Sequence, residues 1–174
     1  MTTAPGAPAR PVGVLFICSG NICRSPMAAG LLRALASEAG VAELLRIDSA
    51  GTHGFHRGEM PDPRAQRVMA ARGIDIARQR ARMVAAHDFD RFDHILAMTR
   101  EQIAQLHAIY PPHRRSRIAL LLDHAPQQLS RDVPDPYYGP PEGFDRALAL
   151  IDAGCRGLLA RLMAEAPIQP GPLT

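Results

Sequence analysis

The chain alternates short apolar runs with stretches in which apolar residues recur at helical spacing. The apolar runs are typical of buried strands, and we predict four strands, at Val12–Ile17, Arg46–Ser49, His94–Met98 and Arg117–Leu122. The amphipathic stretches predict helices at Pro26–Ala39, at Arg64–Arg72, from Thr99 onwards and at about Phe144–Ala164. Strands that alternate with helices predict an α/β fold: a single domain with an open four-stranded parallel sheet and helices on both faces.

Local signals mark where several of these helices begin and end. Ser25 is predicted to cap the first helix, with Pro26 at the first helical position, where its missing N–H group costs no hydrogen bond. Gly73 is expected to end the second helix. Thr99 and Gln102 have the spacing of a capping box and predict the start of the helix after the third strand.

The composition, with 47% hydrophobic and 21% charged residues among 174, is that of a globular protein with a substantial core. Proline and glycine are frequent at both ends, so we expect a disordered N-terminal tail at 1–10, a domain at 11–166 and a flexible C-terminal tail at 167–174. No apolar run approaches the about 20 residues that span a membrane, and no segment has the pattern of a signal peptide. These features favour a cytoplasmic protein with no membrane partner.

The formal net charge is +3, and all 20 basic residues are arginines. They are scattered along the chain, and aromatic residues make up only 5% of it. A nucleic-acid-binding surface has a denser basic stripe with interleaved aromatic side chains. Nucleic acid is therefore not an expected partner, and we expect a monomer.

Cysteine and histidine residues bear on redox and metal chemistry. Three cysteines are too few for a disulfide scaffold and indicate a reducing compartment. Two polar clusters have spacings that could meet around a metal: His53 with His56 and Glu59, and His87-Asp88 with Asp93-His94. Neither cluster puts two ligands on one turn of a predicted helix. We therefore interpret them as solvated or hydrogen-bonded side chains, and we expect neither a metal nor another cofactor.

The segment from Cys18 to Ser25 joins the first strand to the first helix and has the features of an anion-binding loop. Gly20 and Asn21 tolerate backbone conformations that other residues avoid, so the loop can turn sharply and point successive N–H groups at one place. The positive end of the following helix adds to that field, and Arg24 can hold two oxygens of a tetrahedral oxyanion. The sequence therefore predicts a phosphate-binding loop after the first strand.

The same field acts on the thiol of Cys18. A helix N-terminus and a neighbouring arginine favour the thiolate form of a cysteine, and the Ser25 hydroxyl is placed to donate a hydrogen bond to it. A thiolate at the base of an oxyanion-binding loop is arranged for in-line attack on phosphorus. In the alternative, Cys18 and Cys23 are small buried apolar residues near a turn. That alternative leaves unexplained why an apolar strand, Cys-x5-Arg-Ser and a Ser-Pro helix start occur together.

With these motifs the chain resembles the low-molecular-weight protein tyrosine phosphatase family, beginning with the phosphate loop at residues 12–29, VGVLFICSGNICRSPMAA. Three further segments follow in the family's order: Asp48-Ser49-Ala50-Gly51-Thr52 with Gly54-Phe55-His56, then Asp90-Arg91-Phe92-Asp93-His94-Ile95-Leu96-Ala97-Met98, then Asp135-Pro136-Tyr137-Tyr138-Gly139. The resemblance covers about residues 12–164. It implies a metal-independent phosphatase that hydrolyses phosphotyrosine and aryl phosphates through a covalent phosphocysteine intermediate.

The resemblance also implies roles for individual residues. Cys18 is the nucleophile, and Arg24 binds the phosphate and stabilises the transition state. Asp135 is the general acid and then the general base, with Asp132 as the fallback. The phosphate-binding residues are Ser19, Gly20, Asn21, Ile22, Cys23, Arg24 and Ser25, and the cleft walls are Phe55, Tyr137 and Tyr138. The implied substrate is a phosphotyrosine-containing protein, with a tyrosine kinase as one candidate.

Support for the loop is implied as well. Asn21 is expected to hold it in place, together with Ser25 and Ser49, through hydrogen bonds. Relatives often complete that network with a histidine just before the glycine that ends the second helix, and this chain has Arg72 there, which puts the contact in doubt. Thr99 stands where many relatives have aspartate, and we expect helix capping to survive that change.

The remaining cysteines differ in what the resemblance implies for them. Cys23 resembles the family's backdoor cysteine, which could trap an oxidised Cys18 as a disulfide and protect it from irreversible oxidation. Cys155 lies on the apolar face of the last predicted helix, so we expect it in the core.

Three alternatives share some of these features. An arsenate reductase of the same fold needs two further cysteines to relay a disulfide, and no cysteine lies between Cys23 and Cys155. A phosphoarginine phosphatase tends to have threonine at the position of Ile22, whereas an apolar residue there favours an aryl phosphate. A phosphopeptide-binding module without activity would lack the nucleophile or the acid, and both are present.

Overall fold

The computed structural model describes residues 10–110, 116–127 and 131–165. Four strands form one parallel sheet in the order β2–β1–β3–β4: β1 (Val12–Cys18), β2 (Leu45–Gly51), β3 (His94–Ala97) and β4 (Arg117–Leu120). The predicted α/β class and all four predicted strands are confirmed. The predicted tails at 1–10 and 167–174 lie outside the described residues, apart from Arg10, which pairs with Asp93 at 2.7 Å.

Helices cover both faces of the sheet, as predicted. They are α1 (Arg24–Glu38), α2 (Pro63–Ala70), α3 (Asp88–Arg91), α4 (Arg100–Ile109) and α5 (Glu142–Glu165). The side chains of β1 alternate between two apolar clusters: Val14 and Phe16 pack in the cluster that contains α1, α2 and α5, while Leu15 and Ile17 pack in the cluster that contains α3 and α4. Because β1 is buried on both faces, its sequence is apolar at every position. None of the helices in these ranges is long and apolar enough to cross a membrane.

The start of α1 differs from the prediction. The helix begins at Arg24 with Cys23 in the N-cap position, and no side chain caps it. The prediction that Ser25 caps the helix is wrong, because its hydroxyl contacts Cys18 and Asn21 instead. Pro26 falls at the third helical position, where its lack of an N–H group still costs nothing because the first four N–H groups of a helix have no partner within it.

The other helix ends follow recognisable capping rules. Asp62 caps α2 by accepting a hydrogen bond from the backbone N–H of Arg64 at 2.8 Å. Gly73 adopts the left-handed conformation with φ of 75°, but three residues beyond the end of α2 rather than directly after it. Thr99 and Gln102 form the predicted capping box at the start of α4.

The order of the strands positions the candidate site. The chain passes from β1 to β2 on one side and then to β3 on the other side of β1, so the direction of winding reverses at β1. In open parallel sheets, ligands bind at the carboxyl ends of the strands that flank such a reversal. The loop that follows Cys18, the last residue of β1, lies there.

Candidate active site

The segment Cys18–Arg24 lines a cleft of about 190 Å³ at the carboxyl end of β1. The cleft is lined by Cys18, Ser19, Gly20, Ile22, Cys23, Arg24, His53, Phe55, His56, Asp135, Tyr137 and Tyr138. Ten of the residues predicted from the sequence to bind phosphate, react or form the walls are therefore brought together at the cleft, and the structure adds two histidines. Asn21, Ser25 and Ser49 do not line the cleft. They are buried beneath its surface, where they support the loop.

Asn21 organises the loop through three hydrogen bonds. It has a φ of 58°, and it is the only residue besides glycine with positive φ in the described ranges. Its side-chain Oδ1 accepts a hydrogen bond from the backbone N–H of Arg82 at 2.9 Å, while its Nδ2 donates to the hydroxyls of Ser25 at 2.8 Å and Ser49 at 2.9 Å. The bond from Arg82 fixes which end of the amide faces Ser25.

The orientation of Asn21 determines the hydrogen bonding of the nucleophile candidate. Ser25 Oγ accepts from Asn21 Nδ2, so its own hydrogen is available to Cys18 Sγ, which lies 3.0 Å away. Cys18 is 2% exposed, and a buried thiolate needs such a donor. Three hydrogen bonds in series therefore lead from the backbone N–H of Arg82, through the side chains of Asn21 and Ser25, to the sulfur of Cys18.

The residue that extends this network is Gln79. Ser49 Oγ donates to Gln79 Oε1 at 3.4 Å, and Gln79 Nε2 donates to the carbonyl of Pro26 at 2.9 Å. Arg72, the position from which this contact was expected, instead forms an ion pair with Asp152 on α5 at 3.2 Å. Arg72 therefore does not complete the network, but the network is intact because Gln79 reaches Ser49.

Arg24 lines the cleft and is almost fully buried. Its side chain is 4% exposed; Nη1 donates to the carbonyl of Val133 at 2.9 Å and Nη2 lies 3.5 Å from Oδ2 of Asp135. Its Nε is buried and has no hydrogen-bond partner among the described residues. A buried guanidinium N–H without a partner is costly. Its position beside a loop of backbone N–H groups fits an oxyanion ligand.

The two candidate acids lie in different surroundings. Asp135 lines the cleft, its side chain is 42% exposed, and its Oδ1 accepts a hydrogen bond from the N–H of Tyr137 at 3.1 Å. Asp132 accepts a hydrogen bond from the N–H of Arg100 at 3.0 Å, at the start of α4, and is not among the lining residues of the cleft. Of the two carboxylates, Asp135 is the one placed to reach a ligand in the cleft.

Aromatic side chains rise from the rim of the cleft. Phe55 is 85% exposed and Tyr138 is 91% exposed. Tyr137 packs edge-on against Tyr138 with ring centroids 4.8 Å apart. Exposed aromatic rings around a polar base suit a ligand that carries an aromatic group above an anion.

Two histidines also line the cleft, and the sequence did not point to this role. Gly20 does not have a positive φ, so the expectation that it supplies an unusual backbone conformation is wrong, and that role falls to Asn21. A Cβ at Gly20 would lie 2.9 Å from Cδ2 of His56, so a larger residue there would have to displace this ring. His56 Nδ1 pairs with Glu59 Oε2 at 2.8 Å. Burial and the neighbouring His56 lower the pKa of His53. No group of three or more His, Cys, Asp or Glu side chains in the described ranges is arranged to hold a metal ion.

Two further links around the loop were not foreseen. Gln102 Nε2 donates to the hydroxyl of Ser19 at 3.2 Å, so the glutamine of the α4 capping box also contacts the phosphate-binding loop. Arg64 pairs with Asp62 at 2.9 Å and donates to the carbonyl of Tyr137 at 3.1 Å. The sequence predicted a helix from Arg64, but no local pattern indicated the contact with Tyr137.

The cysteines other than Cys18 are held as neutral thiols. Cys23 is 5% exposed, and burial is the largest of the influences that raise the pKa of its thiol. Cys155 is fully buried, as predicted, and its Sγ lies 3.7 Å from the carbonyl oxygen of Ala28 where α5 packs on α1. Burial likewise raises the pKa of Cys155.

The chain is similar to known proteins over most of its length. The family model described as low molecular weight phosphotyrosine protein phosphatase matches residues 13–168. The low molecular weight protein-tyrosine-phosphatase YfkJ of Bacillus subtilis (strain 168) is 40% identical over 154 residues, which cover 88% of this chain and 97% of that protein.

Solved structures give the same picture. The crystal structure of YfkJ from Bacillus subtilis matches with a TM-score of 0.85 at 39% identity, covering 90% of this chain and 98% of that one. The crystal structure of DARP, the Drosophila arginine phosphatase, matches with a TM-score of 0.82 at 30% identity, covering 88% and 99%.

Proposed function

This chain belongs to the low molecular weight phosphotyrosine protein phosphatase family, and from that premise we propose that it hydrolyses phosphotyrosine in proteins, and aryl phosphates, through a covalent phosphocysteine intermediate and without a metal. One observation carries the proposal. Cys18 Sγ lies 3.0 Å from the Ser25 hydroxyl at a cleft that Arg24 and Asp135 also line, and Nε of Arg24 has no hydrogen-bond partner among the described residues. A nucleophile, an oxyanion donor and an acid thus lie in one small cleft.

In the first step the Cys18 thiolate attacks phosphorus. The S–P bond forms as the bond between phosphorus and the phenolic oxygen breaks, and Asp135 donates its proton to that oxygen. The backbone N–H groups of residues 19–25 and the guanidinium of Arg24 receive the charge on the three remaining phosphoryl oxygens.

In the second step a water molecule attacks the phosphocysteine. Asp135, now a carboxylate, takes a proton from that water while the new O–P bond forms and the S–P bond breaks. Inorganic phosphate leaves and the Cys18 thiolate is restored. The Ser25 hydroxyl stabilises this thiolate as the leaving group, because it donates to the sulfur at 3.0 Å.

The cleft favours an aryl phosphate over phosphoarginine. DARP shares the fold, so the fold alone does not separate the two substrates. Ile22 lines the cleft and offers an apolar surface rather than a hydroxyl, and Phe55 and Tyr138 add exposed aromatic rings. We propose a phosphotyrosine-containing protein as the substrate, with a tyrosine kinase as one candidate. We further propose that the protein acts as a cytoplasmic monomer, with neither nucleic acid nor membrane as a partner.

We also propose a protective redox role for the two loop cysteines. A peroxide would oxidise the Cys18 thiolate to a sulfenic acid, and the Cys23 thiol would then displace water to form a disulfide. Both residues line the cleft, and the raised pKa of Cys23 means that Cys18 reacts with the peroxide first. In a Cys23→Ser variant, treatment with hydrogen peroxide should cause loss of activity that dithiothreitol does not reverse, whereas in the wild type dithiothreitol should restore activity. Equal recovery in both proteins would contradict this role.

The proposed function is tested by hydrolysis of an aryl phosphate at mildly acidic pH, with and without EDTA, in the wild type and in Cys18→Ser. Cys155→Ala is the matched control, because this thiol is buried in the core and does not line the cleft. Activity that resists EDTA, persists in Cys155→Ala and vanishes in Cys18→Ser supports the proposal. Activity that EDTA abolishes would contradict it, as would faster release of phosphate from phosphoarginine than from phosphotyrosine.

A further inference from the structure

Arg64, at the start of α2, connects the loop that contains Cys18 with the loop that contains Asp135. Its Nε lies 3.0 Å from Oδ1 of Asp62, and its Nη2 lies 2.9 Å from Oδ2, so the guanidinium holds this carboxylate through two parallel bonds. The backbone N–H of Asp62 donates in turn to the carbonyl of Ile22 at 2.8 Å. The Arg64–Asp62 pair is therefore tied directly to the phosphate-binding loop.

The other side of Arg64 contacts the loop of the proposed acid. Its Nη1 donates to the carbonyl of Tyr137 at 3.1 Å, and its guanidinium carbon lies 5.5 Å from the centre of the Tyr137 ring and 4.6 Å from that of Phe144. The N–H of Tyr137 donates to Asp135 Oδ1 at 3.1 Å. Arg64 therefore holds the carbonyl of the same residue whose N–H orients the acid.

The surroundings of Arg64 and Asp62 favour the charged form of both side chains. Asp62 is 8% exposed and the side chain of Arg64 is 30% exposed. Burial alone would raise the pKa of Asp62, but the hydrogen bonds from Arg64 outweigh it and hold that pKa below its ordinary value. Arginine suits this position because its planar fork can hold both carboxylate oxygens and still direct a third N–H at Tyr137, whereas the single ammonium of lysine cannot.

We propose that Arg64 is a positioning residue that sets the distance between Asp135 and the phosphoryl group held by the Cys18 loop. The proposal rests on the function proposed above, in which Asp135 protonates the leaving oxygen. A misplaced acid matters most when the leaving group is a poor one, because a stable phenolate departs without help. Loss of Arg64 should therefore penalise esters of weakly acidic phenols selectively.

The test compares kcat/KM for phenyl phosphate and p-nitrophenyl phosphate in the wild type, Arg64→Gln and Arg64→Lys. This parameter covers the steps up to departure of the phenol, and the later hydrolysis of phosphocysteine is common to both substrates. We expect a loss of about tenfold or more with phenyl phosphate and a much smaller loss with p-nitrophenyl phosphate. Arg64→Lys, which keeps the charge, should show the same selectivity to a lesser degree.

Arg67→Gln is the matched control, because Arg67 lies on the same helix and is exposed. It should leave both substrates unaffected, and the rate at which iodoacetamide alkylates Cys18 should be unchanged in every Arg64 variant. Equal losses with both esters, or no loss, in the folded Arg64→Lys protein would overturn the positioning role. Failure of the proposed function is distinguishable, since the wild type would then hydrolyse neither ester or Cys18→Ser would remain active.

Discussion

Nη2 of Arg24 lies 3.5 Å from Oδ2 of Asp135, so the proposed phosphate-binding cation and the proposed general acid are already in contact. The Nε of Arg24, in contrast, has no partner among the residues that the structure describes. A phosphate that binds to Nε and Nη2 would take the guanidinium away from Asp135. In the proposed mechanism, binding of the substrate would thus replace the cation next to this carboxyl group with the phosphate.

Arg24→Lys should lower kcat/KM for aryl phosphates by about 10²–10³, because a single ammonium cannot replace the fork that serves Val133, Asp135 and the substrate at once. Competitive inhibition by inorganic phosphate should weaken as well. Steady-state kinetics with phosphate as the inhibitor measure both effects. Arg67→Lys is the control on an exposed arginine, and an Arg24→Lys variant within threefold of its activity would contradict the assignment.

Asp135→Asn and Asp132→Asn should differ sharply. The first variant removes the proton donor and should reduce kcat with phenyl phosphate by about 10²–10⁴. The second should leave kcat nearly unchanged but lower the melting temperature slightly, because Asp132 accepts the N–H of Arg100 at the start of α4. Similar losses of activity in the two variants would mean that Asp135 has no special role.

Asn21→Gly and Asn21→Ala separate the backbone role of this residue from its side-chain role. Both lose the hydrogen bond that orients the Ser25 hydroxyl towards Cys18, so iodoacetamide should alkylate Cys18 more slowly in both variants than in the wild type. Only alanine is strained at a φ of 58°, so Asn21→Ala should unfold with a free energy lower by about 1 kcal/mol than Asn21→Gly. Mass spectrometry identifies the alkylated cysteine, and equal stabilities of the two variants would contradict the backbone argument.

Arg82→Met should destabilise the fold and loosen the loop together. Arg82 pairs with Asp48 at 3.0 Å and with Asp88, a fully buried carboxylate, at 2.9 Å. Leaving Asp88 without its cation should cost about 2 kcal/mol, less than for a fully buried pair because Arg82 is 30% exposed. Urea unfolding measures this cost. In the control Arg80→Met, the lost contacts are only to carbonyls of residues 77 and 79, so unchanged stability of Arg82→Met relative to that control would refute the prediction.

Stability should fall as the pH drops below neutrality. Burial lowers the pKa of His94 and of His124 below the ordinary value of 6.5, with nearby arginines contributing. Between 6.5 and the lowered values, the unfolded chain binds more protons than the folded chain, so the free energy of unfolding decreases as the pH falls through that window. Urea unfolding between pH 8 and 5 should show this decline. His94→Gln should have a shallower slope, and an identical slope would exclude His94 as a contributor.

The sequence predicted those parts of the site whose determinants are local. Strand β1 and the loop that follows it were predictable because a continuous apolar run, Gly20, Asn21 and Arg24 lie within one short stretch of sequence, although the partners that hold Asn21 and Arg24 lie far along the chain. The start of α1 was mispredicted at Ser25. Its hydroxyl could have capped the helix, but it forms a hydrogen bond with Cys18 instead.

The contacts that sequence could not provide are long-range and polar. Gln79 reaches Ser49, and Arg64 reaches Tyr137 from 73 positions away. A glutamine or arginine on a predicted surface is equally compatible with solvent, and only the packing of α2 and of the segment around Gln79 brings these side chains to the site. The sequence suggested that His53 and His56 are solvated or hydrogen-bonded; His56 does bond to Glu59, but the position of both histidines in the lining of the cleft was not predicted.

The hydrogen bonds of Asn21 have a consequence for how the protein folds. Its partners Ser49 and Arg82 lie 28 and 61 positions further along the chain. Closing such long segments costs chain entropy, so these contacts form only after β2 and the segment around Arg82 have docked onto β1. The loop conformation seen in the structure is thus absent from the early, locally structured chain, and the proposed nucleophile meets its hydrogen-bond network only when nearly half of the sequence has reached its final arrangement.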